Sequence, residues 1–255
     1  MTFQDFLDTK KTALQQSQDR CVLAIDSTTQ VASVALYCKG QFTYTEECVR
    51  QKSHSEWING AVERALTTLS NGWEGVDVVA VTQGPGSFTG LRVATNLAKT
   101  IAYTKQKPIV SYCSLDLLAQ QALMIDETQF VLSAINAFKN MAFISLYKQE
   151  TGCLPIRKVE PMAIEVANLV GFIGGLQEVS ASTKVQVVGD AFQAYNSYFD
   201  PSKNSRLVRS LTPKDHPLAT TLALRVVSQW DQLRLLHWRE LVPLYIRASA
   251  AEENR

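Results

Sequence analysis

Histidine is scarce in this 255-residue chain: His54, His216 and His237 are all it has, and no two stand four residues apart. That spacing is what sets two imidazoles on one helix face as metal ligands, so an H-x-x-x-H metal site is excluded. Cysteine is sparse and unpatterned. Cys21, Cys38, Cys48, Cys113 and Cys153 are odd in number and include no C-x-x-C pair, which argues against a disulfide framework or zinc site and for buried reduced thiols. Net charge is nearly absent, at +1 from 25 basic and 24 acidic residues. No global field therefore draws the chain to nucleic acid, although a local basic patch stays open. No apolar run approaches the ~20 residues of a membrane span, and residues 1–20 lack the apolar core of a signal peptide. A cytoplasmic protein without membrane contact is expected. With 46% apolar and 19% charged residues, the chain has the composition of one large or two small folded domains.

What the chain does have is one marked stretch, residues 76–104. A β-branched run over 76–82 fits a buried strand. A turn with Gly84, Pro85, Gly86 and Gly90 follows. From Phe88 the apolar residues Leu91, Ala94, Ala98 and Ile101 take helical spacing. Strand, glycine loop and helix start can together hold an anion, because the first helical N–H groups are unpaired and the helix dipole favours negative charge. The alternative is a tight turn whose glycines let helix and strand pack closely. Two phosphate loops are excluded by spacing. Gly90 is followed by Leu91 and Arg92 where a P-loop needs Lys and Ser/Thr, and Gly90 comes one residue too late after Gly84 and Gly86 for G-x-G-x-x-G.

Upstream, residues 1–20 read as a weakly amphipathic helix or an arm. Strands over 21–25, 31–37 and 42–46 form a meander whose first turn shows Asp26, Ser27, Thr28 and Thr29. Such a turn can hold a metal–phosphate group, or Asp26 can simply cap it. Asp26, Ser27, Gly84, Gly86, Ser87, Gly90 and Arg92 are thus the candidate phosphate or anion site. Residues 53–69 read as a helix with Ser53 and Glu56 as capping box. Its Trp57, Ala61, Ala65 and Leu69 share a face, with Ile58, Val62 and Leu66 beside them. That stripe is wider than one packed face needs, so part of it is expected to meet a partner. His54 decorates the first turn.

Further on, strands are expected over 108–112, 130–137 and 141–147, with a helix over 115–124 capped by Ser114. The pattern of residues 22–37 returns loosely in 131–147, both ending in Leu-Tyr, with Asn136 where Asp26 stood. Two lobes of related topology follow from this. Helices over 164–174, 192–198 and 218–236, a strand over 184–188 and an extended stretch over 241–246 complete the reading.

Three pieces, Leu23-Ala24-Ile25-Asp26-Ser27-Thr28, Gln83-Gly84-Pro85-Gly86-Ser87-Phe88-Thr89-Gly90-Leu91-Arg92 and Pro243-Leu244-Tyr245-Ile246-Arg247, resemble the TsaB (YeaZ) family, whose members take part in making threonylcarbamoyladenosine on tRNA. The resemblance implies an α/β fold of the actin-like, Hsp70-like ATPase (ASKHA) class with two RNase H-like lobes. It divides the chain into an extension (1–20), a first lobe (21–112) and a degenerate second lobe (113–255) whose last helix packs back on the first. It implies no catalytic residues and no metal. Instead it implies a scaffold that binds a TsaD-like transferase, with a TsaE-like ATPase as further partner, tRNA reached only indirectly, and a homodimer when the partner is missing. No cofactor attaches to the chain itself; ATP or ADP belongs to the assembled complex. The expected partner interface is Trp57, Ile58, Ala61, Val62 and Ala65 on one helix and Leu91, Ala94, Ala98 and Ile101 on the next. On this reading Trp57→Ala, or a charge at Ala94 or Ala98, weakens partner binding and leaves the fold intact. The competing reading is a nucleotide-dependent phosphotransferase or ATPase of the same fold using Asp26 and the 84–90 loop. In the family the second turn often reads Asp-Ala-Arg, whereas here it is Asn136-Ala137-Phe138, which weakens any nucleotide contact there. A peptidase has no Ser/His/Asp set or metal pair to stand on.

Overall fold

Strand β1 (Val22–Asp26) is buried along its whole length because both of its faces are covered. The computed structural model describes residues 20–49, 54–123, 129–150, 153–180, 182–198, 206–209 and 214–247. In the first half of the chain β1 is followed by β2 (Val31–Cys38), β3 (Gln41–Val49), α1 (His54–Thr67), β4 (Val78–Gly84), α2 (Phe88–Lys105) and β5 (Ile109–Cys113). Next come α3 (Ser114–Leu123), β6 (Phe130–Asn136), β7 (Met141–Lys148), β8 (Ile156–Arg157), β9 (Met162–Glu165) and α4 (Leu169–Gly174). β10 (Val185–Val188), α5 (Ala191–Ala194), β11 (Leu207–Arg209) and α6 (Ala219–Ser228) complete the order.

The chain forms two units. The first takes the described residues up to Cys113 together with Leu218–Leu244. Its sheet runs β3-β2-β1-β4-β5, antiparallel from β3 to β1 and parallel from β1 to β5. The period of two turns Leu23, Ile25, Val34, Leu36, Val79 and Val81 to one face. There they meet Ile58, Ala61, Val62 and Ala65 of α1 and Ala94, Ala98, Ile101 and Ala102 of α2 in a single core. The alanines of α2 carry only a methyl group, so the helix lies close on the sheet. The other face is covered by α6, where Leu222, Ala223 and Val226 are buried and Ala219 N donates to Ser33 Oγ at 2.9 Å.

The second unit holds residues 114–217 and the described residues from Tyr245 on. Its sheet runs β11-β10-β6-β7-β8, with β9 also pairing β7. The hairpin-then-parallel plan of the first sheet is repeated, with β6 and β7 for β1 and β2, β10 for β4 and β11 for β5. Register sharpens the sequence repeat. Val22 faces Tyr37 and Val131 faces Tyr147, so counting from these pairs Asp26 corresponds to Ile135, and Asn136 lies one residue further on.

Several boundaries differ from the sequence reading. Residues 164–174 are a strand, a 3-10 turn and only then α4, because 162–165 pair with β7. The helix expected over 218–236 stops at Ser228. A 3-10 turn follows, and Leu236 N donates to Ile109 O at 2.8 Å, so the segment is drawn onto the edge of β5. Residues 192–198 divide into α5 and a second 3-10 turn. Residues 241–246 lie outside any ladder, with Leu244 N donating to Gln83 O at 2.7 Å. The cysteines are also corrected. Cys21 and Cys38 are joined as a disulfide, with Cα atoms 4.1 Å apart, because the β1–β2 register sets them opposite one another one step beyond Val22 and Tyr37. Cys48, Cys113 and Cys153 are thiols. The readings for residues 1–19 and the Ser53 cap lie outside the described residues.

Ala98 is fully buried, whereas its neighbour Leu97 packs on the core from a half-exposed position. Ala98→Asp should cost at least ~3 kcal/mol or prevent folding, because it buries an unpaired charge. Leu97→Arg should cost about 1 kcal/mol, its aliphatic stem keeping the contact while its head reaches water. Urea unfolding followed by circular dichroism compares them, and equal losses would contradict this placement of the helix.

Candidate functional site

At the end of β1 the chain bends back on itself through Asp26, Ser27 and Thr28, all fully buried. Asp26 caps the bend: Thr28 N donates to Oδ1 at 3.3 Å and Thr28 Oγ1 to Oδ2 at 3.0 Å. Thr82, on the neighbouring strand, lies beside the carboxyl, and its buried hydroxyl makes no hydrogen bond among the described residues. Burial pushes the Asp26 carboxyl up to about 6, against the nearby Thr82 hydroxyl and the hydrogen bonds from Thr28, which pull it down. The acid therefore keeps its proton into the mildly acidic range, held by its own turn.

The glycine loop closes over that turn. Ser87 caps α2, its Oγ accepting from Gly90 N at 3.4 Å. Ser87 N donates to Thr28 O at 2.6 Å, and Ser27 Oγ donates to Gly90 O at 2.7 Å. A Cβ on Gly90 would stand 1.8 Å from Ser27 O, and one on Gly86 2.2 Å from Thr28 O. These two glycines are required because two stretches of backbone meet there. Gly84 has a φ of +113°, which suits glycine. Asp26, Ser27, Gly84, Gly86, Ser87 and Gly90 are thus brought together as expected, but as a packed joint. Against Gly86 and Gly90 the chain sets its own Thr28 and Ser27 carbonyls. Arg92 stands apart from it on the exposed face of α2, with its guanidinium 3.9 Å over the Phe88 ring.

The expected interface residues are displaced in the same sense. Ile58, Ala61, Val62, Ala65, Leu91, Ala94, Ala98 and Ile101 are all buried under their own helices. Periodicity identified the apolar faces correctly, but the sheet of the same unit covers them. Trp57 is half-buried, with Nε1 donating to Glu46 Oε1 at 3.0 Å. The outward side of α2 shows Arg92, Asn96, Thr100 and Tyr103 exposed, with Val93 and Leu97 half-buried between them.

The second unit has a polar cluster that sequence reasoning passed over as a simple turn. Asn136 Oδ1 accepts from Phe138 N and from the Tyr195 hydroxyl, both at 2.8 Å. Asn136 N donates to Asp190 Oδ1 at 2.8 Å. Burial pushes the Asp190 carboxyl up to about 6, and the charge of Asp215 adds to this. Asp215 accepts from Gly189 N at 3.3 Å and pairs with Arg209. The Gly189-Asp190 pair directly after a strand was the available signal. Among the described residues no three His, Cys, Asp or Glu side chains come together as a metal set. A cavity of about 430 Å³ lies at the far end of β1, beside Cys21, Cys38 and Asp77, away from the candidate anion site and from the expected interface residues.

The family model described as TsaD, tRNA N6-adenosine threonylcarbamoyltransferase, matches residues 48–255. The tRNA threonylcarbamoyladenosine biosynthesis protein TsaB of Haemophilus influenzae is 27% identical over 236 residues, 90% of this chain and 94% of that protein. TsaB of Escherichia coli is 32% identical over 130 residues, 51% of this chain and 55% of that protein. Among solved structures, a Pseudomonas aeruginosa protein described as similar to peptidase YEAZ superposes with a TM-score of 0.75 at 23% identity, covering 89% of this chain and all of that one. YeaZ from the same organism gives 0.72 at 22% identity, covering 89% of this chain and 99% of that one. The fold is therefore the two-lobed α/β architecture of these proteins, in the expected class.

The Asp26 environment makes a pH-dependent prediction. An acid whose folded pKa is raised, here from 3.8 to about 6, binds its proton more tightly when folded. Its contribution is fully present below pH 3.8 and is lost as pH rises to about 6. Asp26→Asn should therefore gain on the wild type by roughly 2–3 kcal/mol between pH 4 and 7. Urea midpoints across that range test this, and parallel curves for the two proteins would refute it.

Proposed function

Since the chain belongs to the TsaB (YeaZ) family of tRNA threonylcarbamoyladenosine biosynthesis proteins, within the wider TsaD domain family, we propose that it serves that machinery as a non-catalytic subunit which binds and stabilises a TsaD-like transferase. The observation that carries this reading is the closed joint between residues 26–28 and 84–90. The elements that could cradle a phosphate contact each other instead, with Gly90 held against Ser27 O. The capped, buried Asp26 belongs to the same joint and is engaged within its own turn.

The docking surface is the outward side of α1 and of α2 from Arg92 to Thr100, ahead of Tyr103. Val93 and Leu97 supply apolar contact, and Asn96 and Thr100 supply small polar neighbours that let a second helix approach. Ala94 and Ala98 contribute indirectly, by seating α2 on its sheet. A TsaE-like ATPase is a further partner of the assembly, nucleotide enters through the complex, and the protein works in the cytoplasm. Without its partner the same face supports a homodimer, since an apolar strip seeks cover.

Leu97→Arg, expected to fold, should weaken binding to the TsaD-like protein of the same organism at least about tenfold, a central apolar contact being replaced by an unpaired charge. Calorimetry on the purified pair measures this, and unchanged affinity would remove α2 from the interface. The same instrument, with ATP titrated into the isolated chain, should register no binding. A saturable heat lost in Asp26→Ala would favour the phosphotransferase reading instead.

A further inference from the structure

The overall charge of +1 hides an uneven distribution. From Val78 to Leu115 the sequence contains no Asp or Glu, but it does contain Arg92, Lys99, Lys105 and Lys107. Three of these cations lie along or just beyond the last turns of α2, where Tyr103 is 60% exposed. Its ring meets Trp238 edge to face, with centroids 5.4 Å apart at 70°. The His237 ring lies 5.2 Å from Trp238, and the Arg239 guanidinium sits 4.9 Å over the same indole. The antiparallel bridge between Ile109 and Leu236 holds this segment against β5. Leu236 and Trp238 pack on the core of the first unit, so the aromatic corner is anchored. Glu240 also stands here and accepts from His237 N at 2.9 Å.

Aromatic rings presented among cations are the means by which proteins hold unpaired nucleotides: bases stack on the rings, and phosphates are neutralised by Lys and Arg. We propose that this corner binds RNA directly, with unpaired bases against Tyr103 and Trp238 and phosphates against Lys105, Lys107 and Arg239. The assignment of tRNA as that RNA rests on the function proposed above; the binding chemistry does not. The strip formed by Val93 and Leu97 lies further back along α2.

The test uses the full-length chain, alone and with its TsaD-like partner, titrated with a transcribed tRNA and with a duplex RNA of equal length at several salt concentrations. The wild type should bind tRNA in preference to the duplex. The double variant Lys105→Glu/Lys107→Glu should lose at least about tenfold in affinity, with a shallower salt dependence by about two phosphate contacts. Tyr103→Ala should lose about fivefold with the salt dependence unchanged, as expected for a stacking contact. Both should bind the TsaD-like protein as the wild type does. Wild-type affinity for tRNA in both variants, or no tRNA binding by the unaltered chain at low salt, would overturn the proposal. So would joint loss of tRNA and protein partner, which would assign the corner to the protein interface. Loss of the partner in Leu97→Arg with tRNA binding retained leaves the RNA site standing, so the two proposals fail separately.

Discussion

The contact between the turn after β1 and the loop before α2 constrains the first unit more than any other. Carbonyls of Ser27 and Thr28 occupy positions that a side chain at residues 90 and 86 would need. Two hydrogen bonds, from Ser87 N and from Ser27 Oγ, fix the approach. α2 is thereby launched at one angle from β4. Its alanines then lie on the sheet, and its outward residues present one defined surface. A phosphate cradle and a helix mount make similar demands on sequence, namely glycines, a capping hydroxyl and a helix start. They differ in what lies against the glycines, and here it is the chain's own backbone.

This joint also shows how much was legible beforehand. β1, β4 and α2 were recoverable from an apolar run and a helical period, because those patterns are local. The fold class followed from the family resemblance that the glycine block and two other pieces of sequence carry, and the strand–helix alternation agreed with it. Most of the expected interface residues lie buried under their own helices, for a physical reason. Periodicity says which face of a helix is apolar, but not whether a sheet or another protein covers it. Ala94 and Ala98 suit close approach to either. The Cys21–Cys38 bond was out of reach for a related reason, since it depends on the β1–β2 register, which pairs residues 17 apart in sequence. The long helix expected after residue 218 failed because pairing of Leu236 with Ile109, far away in sequence, outweighed local helical preference.

The two sheets repeat one plan, yet their first turns have diverged. In the first unit a buried acid caps its own bend. In the second, register puts Ile135 at the corresponding position, and Asn136, one residue on, takes hydrogen bonds from Phe138 and Tyr195. Asp190 and Asp215, from other parts of the chain, supply the acidic groups there. Similar architecture is thus stabilised by different polar arrangements. In both, the acid raised to about 6, the buried Asp26 or the half-buried Asp190, is engaged by the fold itself.

The covering of β1 by α6 has a consequence for how the protein is made. The first unit is interrupted: its sheet is complete by Cys113, but the helix that shields the face bearing Ser33 begins at Ala219. On the ribosome, roughly a hundred residues must be added before that face can be closed, which at 5–20 residues per second is on the order of 5–20 seconds. During that interval the nascent sheet is half-dressed, and chaperones that hold apolar strands have their opportunity. Folding of the first unit is therefore tied to completion of the chain, and a fragment ending before residue 218 would carry a sheet with one side permanently bare.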